Sequence, residues 1–234
     1  TVRVNTEVDV GKVCIGKEHR SRLYARMNTG AGVPITCHVW GDSTAATAAN
    51  GGGYAGDANS PAQLLPRLAR ARGLKNRLQV FNHAIGGTSW YQAATNPVPP
   101  LSVLGPSTDW FIFKYGINDV SRGLVQFAAD VDASLSAIRS ATYGDPTSLT
   151  ITIIGPNSTY DATTGRNATW HEKARNVLMA AARKHSCVYF DAYTITQDSR
   201  LAASAWLDDP YSNGNGIHPL YSAQNWIWGA MFDE

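Results

Sequence analysis

Charged residues are scarce in this chain, and the few that are present nearly cancel. Asp, Glu, Lys and Arg make up 16% of the 234 residues and give a formal net charge of +2. Domains that bind nucleic acid or an acidic membrane surface usually carry a concentrated basic patch. The composition therefore argues against nucleic acid and membrane partners and favours a small molecule or a neutral polymer as the ligand.

Long apolar runs and paired cysteines are also missing. No stretch approaches the roughly 20 apolar residues that a membrane helix needs, and the first residues lack the basic-then-apolar pattern of a signal peptide. Cys14, Cys37 and Cys187 are widely spaced and form no Cys-x-x-Cys pair, so neither a zinc site nor a redox site is indicated. We expect buried thiols and no metal or organic cofactor, and the spacing leaves one disulfide open.

Apolar residues, at 44% of the chain, are ample for the core of one domain. Apolar runs typical of buried strands alternate with segments of helical periodicity. The predicted strands are 35–39, 78–82, 109–115, 149–154 and 187–190, and the predicted helices begin at 44, 60, 124, 169 and about 221. The alternation predicts an α/β fold with an open parallel sheet covered by helices on both faces, and a ligand crevice at the carboxyl ends of the strands.

The first 34 residues differ from the rest of the chain. Valines at alternating positions from Val2 to Val10 indicate an extended strand, and a basic cluster follows, which we expect to be a solvated face. We interpret residues 1–34 as an N-terminal arm or linker with short strands, and 35–234 as the main domain. The arm can pack on this domain, on a neighbouring chain in an oligomer, or on an upstream domain. The cluster consists of Lys17, His19, Arg20, Arg22 and Arg26.

Four polar turns follow predicted strands or precede a helix: Gly41-Asp42-Ser43, Gly86-Gly87, Gly116-x-Asn118-Asp119 and Asn215-x-x-His218. A hydrolytic serine needs a sharp turn at a strand end, where its hydroxyl is exposed and the backbone N–H groups that follow stabilise negative charge. Each turn alone has a structural explanation in local side-chain to backbone bonds. Their joint order favours a catalytic arrangement.

This order resembles the SGNH hydrolases, also called GDSL-type esterases, over roughly residues 35 to 232. The resemblance implies a three-layer, flavodoxin-like sandwich and hydrolysis of a carboxylic ester. It makes Ser43 the nucleophile and His218 the base that later protonates the leaving alcohol. It also implies an oxyanion hole formed by the N–H groups of Ser43 and Gly87 and the side-chain amide of Asn118, with Gly86 as the alternative to Gly87. The Gly-x-Ser-x-Gly motif of α/β-hydrolases is absent.

The chain departs from the family pattern at Asn215, where the resemblance implies an aspartate three residues before the histidine. A carboxylate orients the imidazole and stabilises its protonated form. An amide supplies much less charge stabilisation, and in serine proteases the Asp to Asn change lowers kcat about 10⁴-fold. Three explanations stay open: Asp208 or Asp209 replaces the acid, the enzyme works as a Ser-His dyad supported by an amide, or Asn215 is an inactivating change.

Aromatic side chains near the polar turns suggest a sugar substrate. Trp90 and Tyr91 follow the double-glycine turn, and Trp206 and Tyr211 precede His218. Since no long apolar lid is evident, we favour a carbohydrate O-acetylesterase. Because the chain begins at Thr1 rather than Met, it is compatible with a domain of a larger surface or phage tail protein, which favours an extracellular or virion-associated location. The alternatives are a catalytically impaired carbohydrate-binding module on the same fold and a thioesterase or lysophospholipase.

Overall fold

One mixed sheet organises the structure, a computed structural model that describes residues 14–30, 32–47, 60–97, 108–140, 149–157, 159, 168–196, 218 and 221–232. Within these residues six strands are hydrogen-bonded in the order β1-β6-β5-β4-β2-β3. Strands β2 to β6 run parallel, and β1 pairs antiparallel with β6 at one edge. The strands are β1 Cys14–Ile15, β2 Ile35–Gly41, β3 Leu78–Asn82, β4 Trp110–Lys114, β5 Thr150–Ile154 and β6 Val188–Phe190.

Helices cover both faces of this sheet. The α-helices of the described segments are α1 Ser21–Thr29, α2 Pro61–Ala71, α3 Trp90–Thr95, α4 Leu124–Ser140, α5 Ala168–Lys184, α6 Ala192–Thr196 and α7 Tyr221–Gly229. Two short 3₁₀ turns, Lys17–Arg20 and Asp119–Arg122, precede α1 and α4. Because parallel strands need crossover connections, the helices lie between consecutive strands and confirm the predicted α/β class.

Alternation along the strands divides the core into two layers. On β2, Ile35, Cys37 and Val39 pack against α1, α2 and α7 on one face. On the other face, Trp40 joins aromatic side chains of β4 under α3, α4 and α5. Strands β4 and β5 are buried along their whole length. Burying one large apolar side chain contributes roughly 1.5–3 kcal/mol to stability. The buried side chains therefore hold β4 and β5 in place, and the polar turns lie at the carboxyl ends of these central strands and their neighbours.

The described part of the first 34 residues packs on this sheet. Instead of short strands alone, it contains α1, because Leu23 and Met27 lie one helical turn apart and are both buried. The prediction that the basic cluster is a solvated face is wrong for Arg20, which is 3% exposed and donates a hydrogen bond of 2.7 Å to the Met231 carbonyl. Val2 to Val10 lie outside the described residues.

Two other local predictions are wrong. A helix was expected from Thr44, but residues 42–46 form a turn, in which the Ala46 N–H bonds to the Asp42 carbonyl at 3.0 Å. The sequence predicts a helix that begins at 169, but α5 already includes Ala168, so Thr169 lies inside the first turn of that helix. The expectation of buried thiols is confirmed, because all three cysteines are buried and free. None of the described helices is both long and apolar enough to span a membrane.

Candidate active site

The turn that follows β2 presents Ser43 at the carboxyl-end edge of the sheet. The Asp42 N–H bonds to the Lys114 carbonyl at 3.1 Å, which continues the β2–β4 ladder by one residue. The Asp42 carboxylate then accepts hydrogen bonds from the Thr44 N–H at 2.9 Å and the Thr44 hydroxyl at 2.7 Å. Such side-chain to backbone bonds close a turn in place of a helix or strand bond. Ser43 is thereby left half-buried between two anchored neighbours.

Gly41 allows this turn to form. A Cβ atom built on Gly41 lies 2.8 Å from the Lys114 carbonyl oxygen and 2.9 Å from the Ala45 Cβ. Both distances are shorter than van der Waals contact, so any side chain here pushes the turn away from β4. Glycine is required at position 41 because the backbone lies so close to Lys114 and Ala45. Its backbone conformation is not the reason, since its φ is not among the positive values found at other described glycines.

His218 meets Ser43 directly. Its Nε2 lies 2.9 Å from the Ser43 Oγ, which is hydrogen-bond distance. The contact joins residues 175 positions apart in the sequence. The structure therefore brings together the two residues proposed as nucleophile and base, with the ring nitrogen facing the hydroxyl that it must deprotonate.

The turns after β3 and β4 are tied to one another and to β2. Asn118 donates from Nδ2 to the Thr88 carbonyl at 2.9 Å, and the Thr88 hydroxyl lies 2.6 Å from the Ile85 carbonyl and 3.1 Å from the Gly41 carbonyl. The Ile85 N–H reaches the same Gly41 carbonyl at 3.0 Å. Gly87 lies between them with φ +79°, a left-handed conformation that favours glycine. Gly87 and Asn118 thus belong to one bonded unit at the end of β2.

Asp119 adds a second tie to the same unit. It is fully buried, and its Oδ1 accepts a hydrogen bond of 3.0 Å from the Trp90 N–H at the start of α3. Burial raises the pKa of Asp119 to about 7, against the opposing effect of the Trp90 N–H bond. This contact gives Asp119 a structural role, because it ties the turn after β4 to the start of α3.

A buried lysine lies beneath the turn that carries Ser43. Lys114 is 1% exposed, and its Nζ donates to the Thr44 Oγ1 at 2.5 Å and to the Asn157 Oδ1 at 3.1 Å. Burial lowers the pKa of the Lys114 amine to about 8, and the nearby Asp42 carboxylate acts in the opposite direction. On the other side of Thr44, its carbonyl accepts a hydrogen bond of 2.9 Å from Gln224 of α7.

The aromatic residues proposed for substrate binding divide into three cases. Trp90 is fully buried and packs on Phe113, so it cannot contact a substrate, and that prediction is wrong. Tyr91 is 39% exposed, with the Arg122 guanidinium 4.1 Å from its ring centroid. Trp206 and Tyr211 lie outside the described residues, as do Asn215, Asp208 and Asp209 at the acid position.

The sequence reasoning missed the polar side chains that hold the site together. Lys114, Thr44, Thr88 and Gln224 were not predicted to contribute to it. The one available signal was a lysine within the apolar run that forms β4, where a charge is costly unless it has partners. A cavity of about 160 Å³ also lies next to these turns, lined by residues that include Thr88. Among the described residues, no group of three or more His, Cys, Asp or Glu side chains is arranged to hold a metal.

Solved structures of esterases share this fold. A lipase/acylhydrolase from Enterococcus faecalis superposes with a TM-score of 0.62 at 18% identity, covering 84% of this chain and 93% of that one. TesA gives 0.59 at 17% identity, with coverages of 84% and 96%. A two-domain esterase (CEX) active on acetylated mannans gives 0.61 at 14% identity, covering 91% of this chain and 52% of that one. At these identities the likeness establishes the fold alone.

Sequence comparison identifies the family. No curated protein sequence matches the chain. The model of the GDSL-like lipase/acylhydrolase family, however, matches residues 39–222, which include Ser43, Gly87, Asn118 and His218. The match covers well over half of the chain and agrees with both the fold and the Ser43–His218 contact. The chain therefore belongs to the GDSL-like lipase/acylhydrolase family and is an esterase or acylhydrolase.

Proposed function

We propose that this protein is a serine esterase that removes O-acetyl groups from a carbohydrate. The observation that carries the proposal is the 2.9 Å contact between the Ser43 Oγ and the His218 Nε2. A serine hydroxyl is a weak nucleophile until a base within hydrogen-bond reach accepts its proton. In this arrangement Ser43 attacks the ester carbonyl carbon while His218 takes the hydroxyl proton.

Two half-reactions complete the cycle. The tetrahedral intermediate collapses when His218 gives its proton to the leaving sugar oxygen, so the C–O bond of the ester breaks and acetyl-Ser43 remains. A water molecule then attacks the acetyl carbonyl, with His218 again accepting the proton. Collapse of the second intermediate releases acetate and returns the proton to Ser43.

The oxyanion formed in each half-reaction needs preorganised donors. We assign the Ser43 N–H, the Gly87 N–H and the Asn118 side-chain amide to this role. The Asn118 amide has two hydrogens, and the bond from Nδ2 to the Thr88 carbonyl fixes the plane in which the second one lies. Because fixed donors need no reorganisation during reaction, losing one costs about 100-fold to 1000-fold in rate.

A short acyl group is favoured over a long chain because the sequence contains no long apolar lid of the kind that a lipase carries. The cavity of about 160 Å³ beside Thr88 gives no measure of the acyl length, since neither Ser43 nor His218 lines it. A sugar as the alcohol part is supported by analogy with the esterase active on acetylated mannans, and by the exposed ring of Tyr91.

The experiment compares acetate release from acetylated mannan oligosaccharides with hydrolysis of p-nitrophenyl acetate, butyrate and octanoate. The wild type is measured beside Ser43→Ala, Asn215→Asp and Ser140→Ala, the last a matched control on an exposed serine at the end of α4. We expect acetate release in the wild type and in Ser140→Ala and its loss in Ser43→Ala. A preference for octanoate favours the thioesterase or lysophospholipase alternative.

The variant at the acid position separates the remaining alternatives. Activity in the wild type means that the amide at Asn215 is tolerated or that another acid supports His218. An inactive wild type with an active Asn215→Asp variant indicates an impaired enzyme. Inactivity in both, with retained binding of the oligosaccharide, favours the carbohydrate-binding module.

We also propose that the chain works as part of a larger surface or phage tail protein that deacetylates polysaccharide. The neutral composition and the predicted polymer substrate support this context. Sequencing the full-length gene tests it. A gene that encodes only this domain behind a secretion signal would contradict the proposal.

A further inference from the structure

Lys114 occupies a position where a charged side chain is costly. It is the last residue of β4, a strand whose other residues are aromatic or aliphatic, and it is 1% exposed. Removing an amine from water is unfavourable unless hydrogen bonds and an opposite charge compensate. Positions that break the local rule of apolar burial tend to serve a site rather than the fold.

The partners of this amine lead directly to the nucleophile turn. Nζ donates to the Thr44 hydroxyl at 2.5 Å, and the same hydroxyl donates to the Asp42 carboxylate at 2.7 Å. The two residues on either side of Ser43 are therefore joined by one chain of hydrogen bonds that begins at Lys114. The backbone of Lys114 takes part as well, since its carbonyl accepts the Asp42 N–H at 3.1 Å.

The same threonine is also connected to the histidine side of the site. Its carbonyl accepts the Gln224 amide at 2.9 Å, and the Trp228 indole N–H holds the Gln224 side-chain oxygen at 2.7 Å. Both residues belong to α7, which begins three positions after His218. Thr44 is thus bonded through its side chain to β4 and through its backbone to the helix that follows the base.

We propose that Lys114 is a positioning residue, which acts through the Thr44 hydroxyl to hold the Ser43 Oγ at attack distance from the His218 Nε2. The inference rests on the proposed function, in which Ser43 is the nucleophile. Lys114 does not touch the substrate. Its removal frees the Thr44 side chain, lets the turn rotate, and lengthens the contact on which proton transfer depends.

The test uses two variants that keep side-chain size, Lys114→Met and Thr44→Val. Lys114→Met removes the bonds to Thr44 and Asn157, and Thr44→Val removes the bonds of the hydroxyl to Lys114 and Asp42. Thr44→Ser, which keeps the hydroxyl, is the conservative rescue, and the double variant measures coupling. Thr152→Val is the control for general damage to the sheet, because Thr152 is equally buried and accepts the Trp110 indole N–H away from the turn. Each variant is measured for thermal unfolding, for the rate of Ser43 labelling by a fluorophosphonate, and for kcat and KM on p-nitrophenyl acetate.

We expect Lys114→Met and Thr44→Val each to lower the labelling rate and kcat roughly 10-fold to 100-fold, the range associated with small misplacement of a reacting group. KM should change little, Thr44→Ser should keep near wild-type rates, and the double variant should be no worse than the worse single variant. Thr152→Val should lower the unfolding temperature and leave both rates unchanged.

Three results overturn the proposal. The first is a folded Lys114→Met or Thr44→Val protein that labels within about twofold of the wild-type rate. The second is a double variant whose loss equals the product of the single losses, because independent effects multiply. The third is a wild type whose Ser43 is not labelled at all, which refutes the proposed function too. Labelling without hydrolysis of any ester refutes the proposed function alone, and the labelling rates still decide the role of Lys114.

Discussion

The buried carboxyl group of Asp119 makes the stability of this protein depend on pH in an unusual direction. Its pKa is raised from 3.8 to about 7, chiefly because the group is fully buried. The folded state therefore holds the proton more tightly than the unfolded state does. The stabilisation is fully present below about pH 4 and is lost as the pH rises toward 7.

The size of the effect follows from the pKa values. One pKa unit corresponds to about 1.4 kcal/mol, so the difference between 3.8 and about 7 amounts to about 4 kcal/mol in the free energy of unfolding. Asp119→Asn removes this dependence, because an amide does not ionise, while its Oδ1 can still accept the Trp90 N–H. The new NH₂ group is buried in place of Oδ2 and costs about 1–3 kcal/mol at every pH.

Urea unfolding of the wild type and Asp119→Asn at pH 4, 5.5 and 8 measures the difference. We expect the variant to gain about 4 kcal/mol relative to the wild type between pH 4 and pH 8. Asp132→Asn is the control of opposite sign, because bonds from Lys184 and His185 lower the pKa of that exposed carboxylate. Because the pKa of Asp132 lies below its ordinary value of 3.8, its variant should lose stability relative to the wild type as the pH rises to about 4, so this comparison extends to pH 2 and 3. A difference for Asp119→Asn that stays constant with pH refutes the reasoning.

Four further substitutions, of which Gly123→Ala is a control, test the geometry of the site. Gly41→Ala places a Cβ 2.8 Å from the Lys114 carbonyl, so urea unfolding should show a loss of roughly 1–3 kcal/mol, together with a fall in esterase activity. Gly87→Ala should lose about 1 kcal/mol, since its φ is positive and its surroundings are open. Gly123→Ala should lose about 1–3 kcal/mol, since its φ of 73° and ψ of 159° lie in a region that is essentially reserved for glycine, yet only Gly87→Ala should lower kcat. Asn118→Ala should lower kcat about 100-fold to 1000-fold in steady-state kinetics with little change in KM.

The parts of the fold and site that follow from local pattern could be predicted from the sequence. The apolar run of β4 and the helical stripe of α4 specify their own structure, because burial along a strand or one helix face determines the spacing of apolar residues. Ser43 and His218 could be predicted because the order of their polar turns resembles that of the SGNH hydrolases. The parallel sheet places Ser43 at the carboxyl end of β2, and the 2.9 Å contact with His218 comes from the tertiary structure.

Features that depend on tertiary packing could not be predicted in the same way. Trp90 follows a polar turn, as a substrate-contacting aromatic would, yet it is buried because α3 packs that residue against Phe113. Arg20 belongs to a basic cluster, yet it is buried because the Met231 carbonyl accepts its guanidinium. In both cases the deciding partner is far away in the chain, so neither composition nor spacing contains it.

The placement of Lys114 is a third case of a distant partner, and the positioning role proposed for this residue depends on it. An apolar residue at the end of β4 would satisfy the sheet at lower cost, and the fold of β4 does not depend on the amine. The amine donates a hydrogen bond to the Thr44 hydroxyl, and the Thr44 carbonyl accepts a second hydrogen bond from Gln224 in α7, the helix after His218. The turn that carries Ser43 and the helix that follows His218 therefore share one anchoring residue, so a displacement of either element is opposed by hydrogen bonds to the other.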